Sequence, residues 1–482
     1  AESKTLVAAK EEAAQLLKDN NSQGMCLVFG FDGGELAFEI AKQGGYHVIG
    51  VESPENVDKA RATLLKHGVY GKKISIWSSD QLDKLPMEFA NLVVASKSLS
   101  QYEKEISDAV IPNGVVMIRS SELNKSDKED KMFVFANYSE GEEEKTWTKL
   151  KKPKLEDSGV WSHQYGKPDN SAYGGESLWG ATTTSDFQEK WIGRPGPRFQ
   201  SDRNARKTSP LAINGRLFVQ GLERIAAMDS YNGTFLWTNS QPDFKRFNVP
   251  RDCSNWSADD DFVYTAVGKY CHRVDAATGK AVNSIVVTPR ASTGKQFDWG
   301  YLANIDGQII GSAVKPNNIY TDFTGGASWY DAIKGDLARK VSSDNLFSLD
   351  KNTNQLQWKY EGGMIINSTI TLSEKKAFFV ESRDSKTMKS DNRRLDLEKL
   401  NNNLYMVALD VKTGEKLWEQ KLDVVAGITV FFLIHSDDKL VLSSSNSGKY
   451  HIYTFDAVNG KSGWTEEMSW YSGDHGGHMS KP

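Results

Sequence analysis

The sequence is poor in cysteine, in long apolar runs and in net charge. Its 482 residues include only three cysteines, and no Cys-x-x-Cys-His motif occurs, so the chain attaches no c-type haem. No apolar run approaches the length that crosses a bilayer. A net charge of −4 gives no electrostatic case for binding nucleic acid. Enzymes and protein-binding scaffolds remain open.

Two of the three cysteines, Cys253 and Cys271, flank a predicted hairpin. A cross-strand disulfide between them is one interpretation, and a pair of ordinary buried residues is the other. The third cysteine, Cys26, falls in a predicted core strand and is expected to be inert.

A short sequence motif recurs five times after residue 220. Each copy is an apolar strand, an Asp, a turn and usually a Trp; the aspartates are Asp229, Asp275, Asp350, Asp410 and Asp456. They are 46 to 75 residues apart, and a propeller blade takes about 40–50 residues, so we expect one four-stranded blade per copy, two of them enlarged by insertions. The Asp side chain should bond the turn backbone, Asn-Gly or Thr-Gly should supply a positive φ, and the Trp should cover the face between neighbouring sheets.

The motif Ala-x-Asp-x-x-Thr-Gly-x-x-x-Trp resembles the repeat of pyrroloquinoline-quinone (PQQ)-type β-propellers over roughly residues 155–468. That group includes quinoprotein alcohol dehydrogenases and non-enzymatic assembly propellers. The resemblance implies that PQQ and Ca²⁺ would bind at the mouth of the channel, for which we select Arg251, Asp252, Asn255, Trp256 and Trp299. The adjacent Cys-Cys pair typical of the dehydrogenases is missing, so the enzyme is the alternative interpretation.

The N-terminal third alternates strands and helices, which predicts a parallel, doubly wound sheet. It resembles the class I S-adenosylmethionine (SAM)-dependent methyltransferase fold. Gly30, Gly33 and Gly34 stand where the methionine-binding turn would be, and Glu52 stands where an acidic residue would hold the ribose. Ser96-Lys97-Ser98-Leu99 follows the fourth strand in place of a catalytic segment. We therefore expect a degenerate domain that is retained for packing or partner contact and does not use SAM.

A Gly-rich loop near the end of the sequence carries Asp474, His475 and His478. Two His three residues apart with a neighbouring Asp are able to bind a metal ion. The other interpretation is that these His side chains bond backbone groups in a tight loop, since no further His or Cys completes a tetrahedral site nearby.

The domain boundaries predicted from these patterns are residues 1–135 for the methyltransferase-like domain, 136–158 for a hairpin and linker, and 159–482 for the propeller. The first residues, Ala1-Glu2-Ser3, look like those left after a signal peptide is removed. We therefore expect an extracytoplasmic location, such as the periplasm, where SAM would be scarce.

The number of repeats bears on function. Five blades are clear, whereas propellers of this kind usually close with seven or eight, and an open propeller exposes sheet edges. We expect protein partners or self-association. The primary prediction is a non-catalytic extracytoplasmic scaffold or interaction subunit, accessory to a larger redox assembly. The alternatives are a PQQ-dependent oxidoreductase and, with less support, a SAM-dependent methyltransferase.

Overall fold

The chain folds into an α/β domain followed by a series of antiparallel sheets. A computed structural model describes residues 4–18, 23–30, 33–96, 99–123, 139–140, 147–178, 180–193, 209–221, 223–242, 244, 255–288, 296–315, 341–389, 398, 401–427 and 430–469.

The α/β domain contains one sheet of seven strands with helices on both faces. Its elements are α1 (Lys4–Leu17), β1 (Gln23–Phe29), α2 (Glu35–Gln43), β2 (Gly45–Glu52), α3 (Val57–Lys66), β3 (Ile74–Ser78), a 3₁₀-helix (Ser79–Lys84), β4 (Ala90–Ala95), α4 (Leu99–Ala109), β5 (Val110–Arg119), α5 (Ser120–Leu123), β6 (Ser139–Glu140) and β7 (Trp147–Lys151). The strand order is β3-β2-β1-β4-β5-β7-β6.

Strands β1 to β5 pair in parallel, and β7 runs antiparallel to β5 and β6. The central strands are apolar because both faces of a parallel sheet are covered. One hydrophobic cluster joins the sheet to α1, α2 and α3, and a second cluster joins its other face to α4 and the 3₁₀-helix. The doubly wound prediction is confirmed. The sheet also includes β6 and β7, which fall within residues 136–158, the predicted hairpin and linker.

Five antiparallel sheets follow, which we number as blades one to five. Blade one contains β8 (Leu211–Ile213), β9 (Arg216–Gly221), β10 (Arg224–Asp229) and β11 (Phe235–Ser240); blade two contains β12 (Trp256–Ala258), β13 (Phe262–Val267), β14 (Tyr270–Asp275) and β15 (Ala281–Val286); blade three contains β16 (Asp298–Ile305), β17 (Gln308–Val314), β19 (Asn345–Asp350) and β20 (Leu356–Tyr360); blade four contains β18 (Ser342–Ser343), β21 (Met364–Ile366), β22 (Thr371–Leu372), β23 (Lys376–Ser382), the short helix α6 (Ser385–Lys389), β24 (Leu404–Asp410) and β25 (Lys416–Lys421); blade five contains β26 (Val430–Ser436), β27 (Lys439–Asn446), β28 (Lys449–Asp456) and β29 (Ser462–Ser469).

Each blade packs face to face on the next. Four separate hydrophobic clusters lie between blades one and two, two and three, three and four, and four and five. The strands alternate between these two buried faces, which explains why their inner parts are apolar on both sides. This arrangement is the predicted propeller architecture, with five blades in the described part of the chain.

The Asp turn of each repeat forms as predicted. In blade two, a carboxylate oxygen of Asp275 accepts hydrogen bonds from the backbone N–H groups of Ala277 (3.1 Å) and Thr278 (2.7 Å). The other four aspartates make the same pair of bonds to the residues two and three positions on. Gly279 then takes a φ of +71°, which a side chain rarely adopts.

The Trp of one repeat docks on the Asp turn of the next blade. Trp237 donates its indole N–H to the carbonyl oxygen of Ala276 at 3.0 Å, and a Cβ added to Gly279 would lie 2.5 Å from the ring. Trp358 donates in the same way to Val411 at 2.9 Å and covers Gly414. The glycine is therefore needed twice, for its φ and for the close approach of the indole.

Blade two lacks the Trp, and an arginine replaces it. The guanidinium of Arg273, on β14, donates to the carbonyl oxygen of Lys351 at 2.8 Å, the position on the turn that an indole reaches elsewhere. It also lies 4.1 Å from the centre of the Phe262 ring. The turn it contacts has Asn354 where the other turns have glycine, with a φ of +59°. Without an indole to accommodate, the turn needs only the positive φ.

Cys26 and Cys271 are buried. Burial raises the pKa of both thiols, to about 12 for Cys271. Cys253 lies outside the described residues, so the disulfide between Cys253 and Cys271 is untested and stays a prediction. The inert role expected for Cys26 agrees with its place in β1.

Candidate functional site

A segment that precedes the blades in the chain forms hydrogen bonds with every one of the five sheets. We call residues 161–170 the axial segment. Trp161 exchanges two backbone hydrogen bonds of 2.8 Å with Ala212 on β8, the innermost strand of blade one. His163 forms a bridge with Ser257 on β12, the innermost strand of blade two. Blades one and two are thus joined through the axial segment.

The same segment reaches the other three blades. The backbone N–H of Asn304, on β16 of blade three, donates to Nε2 of His163 at 3.2 Å. The Asn170 amide donates to the carbonyl oxygens of Ile370 in blade four (2.9 Å) and Leu433 in blade five (3.0 Å). All five blades therefore bond to one stretch of ten residues.

His163 is the titratable group at the centre of this arrangement. Its side chain is buried, its Nδ1 lies 2.8 Å from the Ser162 hydroxyl, and its Nε2 accepts the bond from blade three. Burial lowers the pKa of His163 to about 3, so the ring is neutral at physiological pH. A neutral, enclosed imidazole with both nitrogens engaged holds the segment in place and has no access to a substrate.

Three of the five predicted channel-mouth residues are described, and all three are buried. Trp256 lies in the cluster between blades one and two, and Trp299 lies in the cluster between blades two and three; both indoles are fully buried. Asn255 is also buried. Arg251 and Asp252 lie outside the described residues. The role of these five residues in holding a cofactor stays a prediction, and the two tryptophans are explained by packing.

The glycines of the SAM-like turn lie at one edge of the parallel sheet. Gly30, Gly33 and Gly34 all have positive φ values, of 77°, 91° and 90°. They lie after β1 and before α2, while Glu52 ends the adjacent parallel strand β2, so all four stand at one edge of the sheet. The Glu52 carboxylate accepts a bond from the backbone N–H of Ser53 at 2.9 Å. A vestigial SAM site at this edge remains a prediction.

The predicted metal loop cannot be placed. Asp474, His475 and His478 lie outside the described residues. Within the residues that are described, no group of three or more His, Cys, Asp and Glu side chains is arranged to hold a metal ion. None of the described helices is long and apolar enough to cross a membrane.

Sequence reasoning missed a polar contact that joins the two domains. The Asn91 amide, on β4, donates to Oδ2 of Asp229 at 2.7 Å, and Asn232 donates to Oδ1 of Asn91 at 2.7 Å and to the carbonyl of Phe89 at 2.9 Å. Three of the other repeats have Thr at the position of Asn232, with a hydroxyl that bonds the turn Asp. Blade five has Asn459 at the same position, so the departure at Asn232 does not identify the contact from the sequence.

Two clefts lie beside the contact between the domains. The larger has a volume of about 620 Å³, and the smaller has a volume of about 320 Å³. Both are lined by Asn113, Asn214, Gly215 and Arg216, which meet where the Asn113 amide donates to Asn214 at 3.0 Å. Volumes of this size suit small molecules, and domain junctions are common places for them.

The outer face of blade five differs from the corresponding faces of the other blades. Trp464 occupies the same repeat position as Trp237 and Trp358, but 57% of its surface is exposed, against 9% and 7%. Val441 and Ile452 on the same face are partly exposed. An indole that docks on a neighbouring turn elsewhere in the chain has no such neighbour here among the described residues.

Comparison with known proteins agrees with this architecture. Residues 401–476 match the family model described as outer membrane protein assembly factor BamB. The sequence-based recognition of PQQ-type repeats is confirmed. No curated protein matches the sequence.

Three solved structures each resemble a part of the chain. A protein assigned as an S-adenosyl-L-methionine-dependent methyltransferase from Methanococcus maripaludis is 17% identical with a TM-score of 0.25, over 32% of this chain and 89% of its own. The WD40 domain of Neurospora crassa Pan2 is 10% identical with a TM-score of 0.32, over 52% of this chain and 61% of its own. The dihydro-heme d1 dehydrogenase NirN is 8% identical with a TM-score of 0.32, over 53% of this chain and 44% of its own.

Proposed function

We propose that the protein is a non-catalytic extracytoplasmic scaffold that binds protein partners, as an accessory subunit of a larger redox assembly. The observation that carries this proposal is the axial segment, which bonds to all five blades. Ligands of propellers bind near the central channel. A segment that ties the five blades together supports a structural use of the propeller over turnover of a substrate.

The matching family model supports the same proposal. It is described as outer membrane protein assembly factor BamB. That likeness supports an extracytoplasmic location and a role with protein partners for this chain. The α/β domain fits a scaffold through its polar contact with blade one, since Asn91 is used to hold Asp229 and Asn232.

The surface that we assign to a partner is the exposed face of blade five around Trp464. Large aromatic side chains that are exposed beside other apolar groups mark protein-binding sites, and tryptophan is enriched among the residues that dominate binding energy. A partner that offers a backbone carbonyl to the indole N–H would repeat the contact that Trp237 and Trp358 make inside the chain.

The first experiment tests the absence of catalysis. The purified protein is titrated with PQQ in the presence of Ca²⁺ and assayed for dye-linked alcohol oxidation. We expect neither a bound chromophore nor activity. A stoichiometric chromophore with turnover would instead establish the oxidoreductase alternative and would refute the scaffold.

The second experiment tests the partner surface. Native protein, Trp464→Ser and Leu417→Ser are compared in quantitative cross-linking from extracytoplasmic fractions and in size-exclusion chromatography with light scattering. Leu417 is the control because it is a similarly exposed apolar residue, on β25 of blade four. Loss of one defined complex in Trp464→Ser alone is expected. A native protein that stays monomeric and forms no complex would contradict the proposal.

A further inference from the structure

The smaller of the two clefts between the domains has an unusual set of charges. Three cations line it: Lys149 and Lys151 from β7 of the α/β domain, and Arg216 from β9 of blade one. Its one carboxylate is Asp229. We call this the basic cleft. It is formed by both domains, so it exists only when they are docked.

The carboxylate of the basic cleft is already fully used. Oδ1 of Asp229 accepts bonds from the backbone N–H groups of Tyr231 (2.8 Å) and Asn232 (3.1 Å), and Oδ2 accepts the bond from Asn91 (2.7 Å). Little capacity remains on Asp229 to bind Arg216 directly. The negative charge of Asp229 is therefore matched by the turn and by the other domain.

The guanidinium of Arg216 forms no hydrogen bond or ion pair with the described residues. The residue is partly buried, and its backbone pairs with β8 and β10. The carboxylates of Asp229, Asp260 and Asp275 attract it only at longer range, while loss of water around it lowers its pKa. Asp260 pairs instead with Lys154 at 3.3 Å, and Asp275 bonds its own turn.

The guanidinium of Arg216 is available to a ligand, because none of its nitrogens is among the buried side-chain atoms that lack a hydrogen-bond partner. Guanidinium presents five N–H donors in a plane, and their best partners are carboxylate and phosphate oxygens, which they bind in pairs. Lys151 lies across the cleft on the other domain and adds a second positive charge to the same space.

We propose that the basic cleft binds a small oxyanion, a carboxylate or a phosphate group, with Arg216 as its main contact and Lys151 as the second charge. The adjoining larger cleft of about 620 Å³ shares Arg216 and gives room for the rest of an organic molecule that carries this group. An anion held from both sides links the two domains. This inference goes beyond the scaffold role and does not depend on it.

The test uses the whole chain and two probes, inorganic phosphate and acetate, in separate calorimetric titrations at low chloride concentration. We expect saturable one-site binding of at least one probe, weakened by added salt, and a rise in the unfolding midpoint with probe concentration. Arg216→Gln should weaken binding by about tenfold or more, since charge-assisted hydrogen bonds are lost. If only phosphate binds, the cleft is a phosphate site, and if only acetate binds, it is a carboxylate site.

Arg224→Gln is the matched control, because Arg224 is an exposed arginine on the neighbouring strand β10 and lies outside the cleft. It should leave the affinity within about twofold, as surface substitutions usually do. Lys151→Gln, at an exposed position, is measured as well, so that the result does not depend on the folding of Arg216→Gln. No saturable binding of either probe overturns the proposal, and so does equal affinity in native protein and both cleft variants.

Discussion

The docked tryptophans should contribute very unequally to stability, although they occupy the same position in the repeat. In Trp237→Ala, the indole that fills the space between blades one and two is removed from a site that is 9% exposed. Its bond to the carbonyl of Ala276, at 3.0 Å, is lost with it. Trp464→Ala removes the same side chain from a face where 57% of it is exposed.

The expected magnitudes follow from these two environments. Replacing a buried Trp by Ala costs about 3–5 kcal/mol of the free energy of unfolding, and the unpaired carbonyl adds roughly 1 kcal/mol. A substitution at an exposed position stays within about 0.5 to 1 kcal/mol. The two variants should therefore differ by about 3 kcal/mol or more.

Urea unfolding followed by far-ultraviolet circular dichroism measures this difference, with both variants and the native protein unfolded under the same conditions. The two domains are first checked for a single transition, since several domains can unfold separately. Equal midpoints for Trp237→Ala and Trp464→Ala would refute the argument that the repeat indole acts by docking on the next blade. A loss in Trp464→Ala as large as in Trp237→Ala would have the same effect.

Three further predictions concern the axis, the arginine between blades two and three, and the contact between the domains. The pKa of His163 is lowered to about 3 in the folded protein, so the unfolded chain takes up a proton first as the pH falls. The free energy of unfolding should therefore decrease below about pH 6.5, by about 1.4 kcal/mol per pH unit at most. Urea unfolding at pH 7 and pH 5 should show a smaller decrease in His163→Gln than in the native protein. Arg273→Met should cost about 1.5–3 kcal/mol in the same assay, because the carbonyl of Lys351 loses a charged donor, and an unchanged midpoint would contradict this role. Asn91→Ala leaves one oxygen of the buried Asp229 unbonded and should lower the free energy of unfolding by about 1–3 kcal/mol. Calorimetry of this variant should show the α/β domain and blade one unfolding in distinct transitions. A single transition at the native temperature would count against the contact.

The repeat could be predicted from the sequence because each of its parts acts locally. The Asp at the end of a strand bonds N–H groups two and three residues on, and Gly279 supplies a positive φ within the same turn. Such contacts depend on a few neighbouring residues and form again in each copy of the motif. The parallel sheet of the first domain followed in the same way from alternating strands and helices.

The axial segment could not be predicted because its contacts connect residues far apart in the chain. Asn170 bonds carbonyl groups that are 200 and 263 residues away, and His163 meets Asn304 across 141 residues. The segment has no strand periodicity, since it is bonded to a different blade every few residues. Its aromatic and polar composition gives no indication by itself that the partners of those groups lie in the rest of the same chain.

The exception in blade two shows that the docking residue and the turn are matched to each other. Where Trp237 and Trp358 dock, the receiving turns have Gly279 and Gly414, at which a Cβ would lie 2.5 Å or 2.6 Å from the indole. Where Arg273 replaces the indole, the turn has Asn354. An indole needs the glycine for space, whereas a guanidinium reaches the carbonyl end-on and leaves room for a side chain. A Trp introduced at the end of blade two would therefore clash with Asn354 unless that residue became glycine, so the two positions must change together.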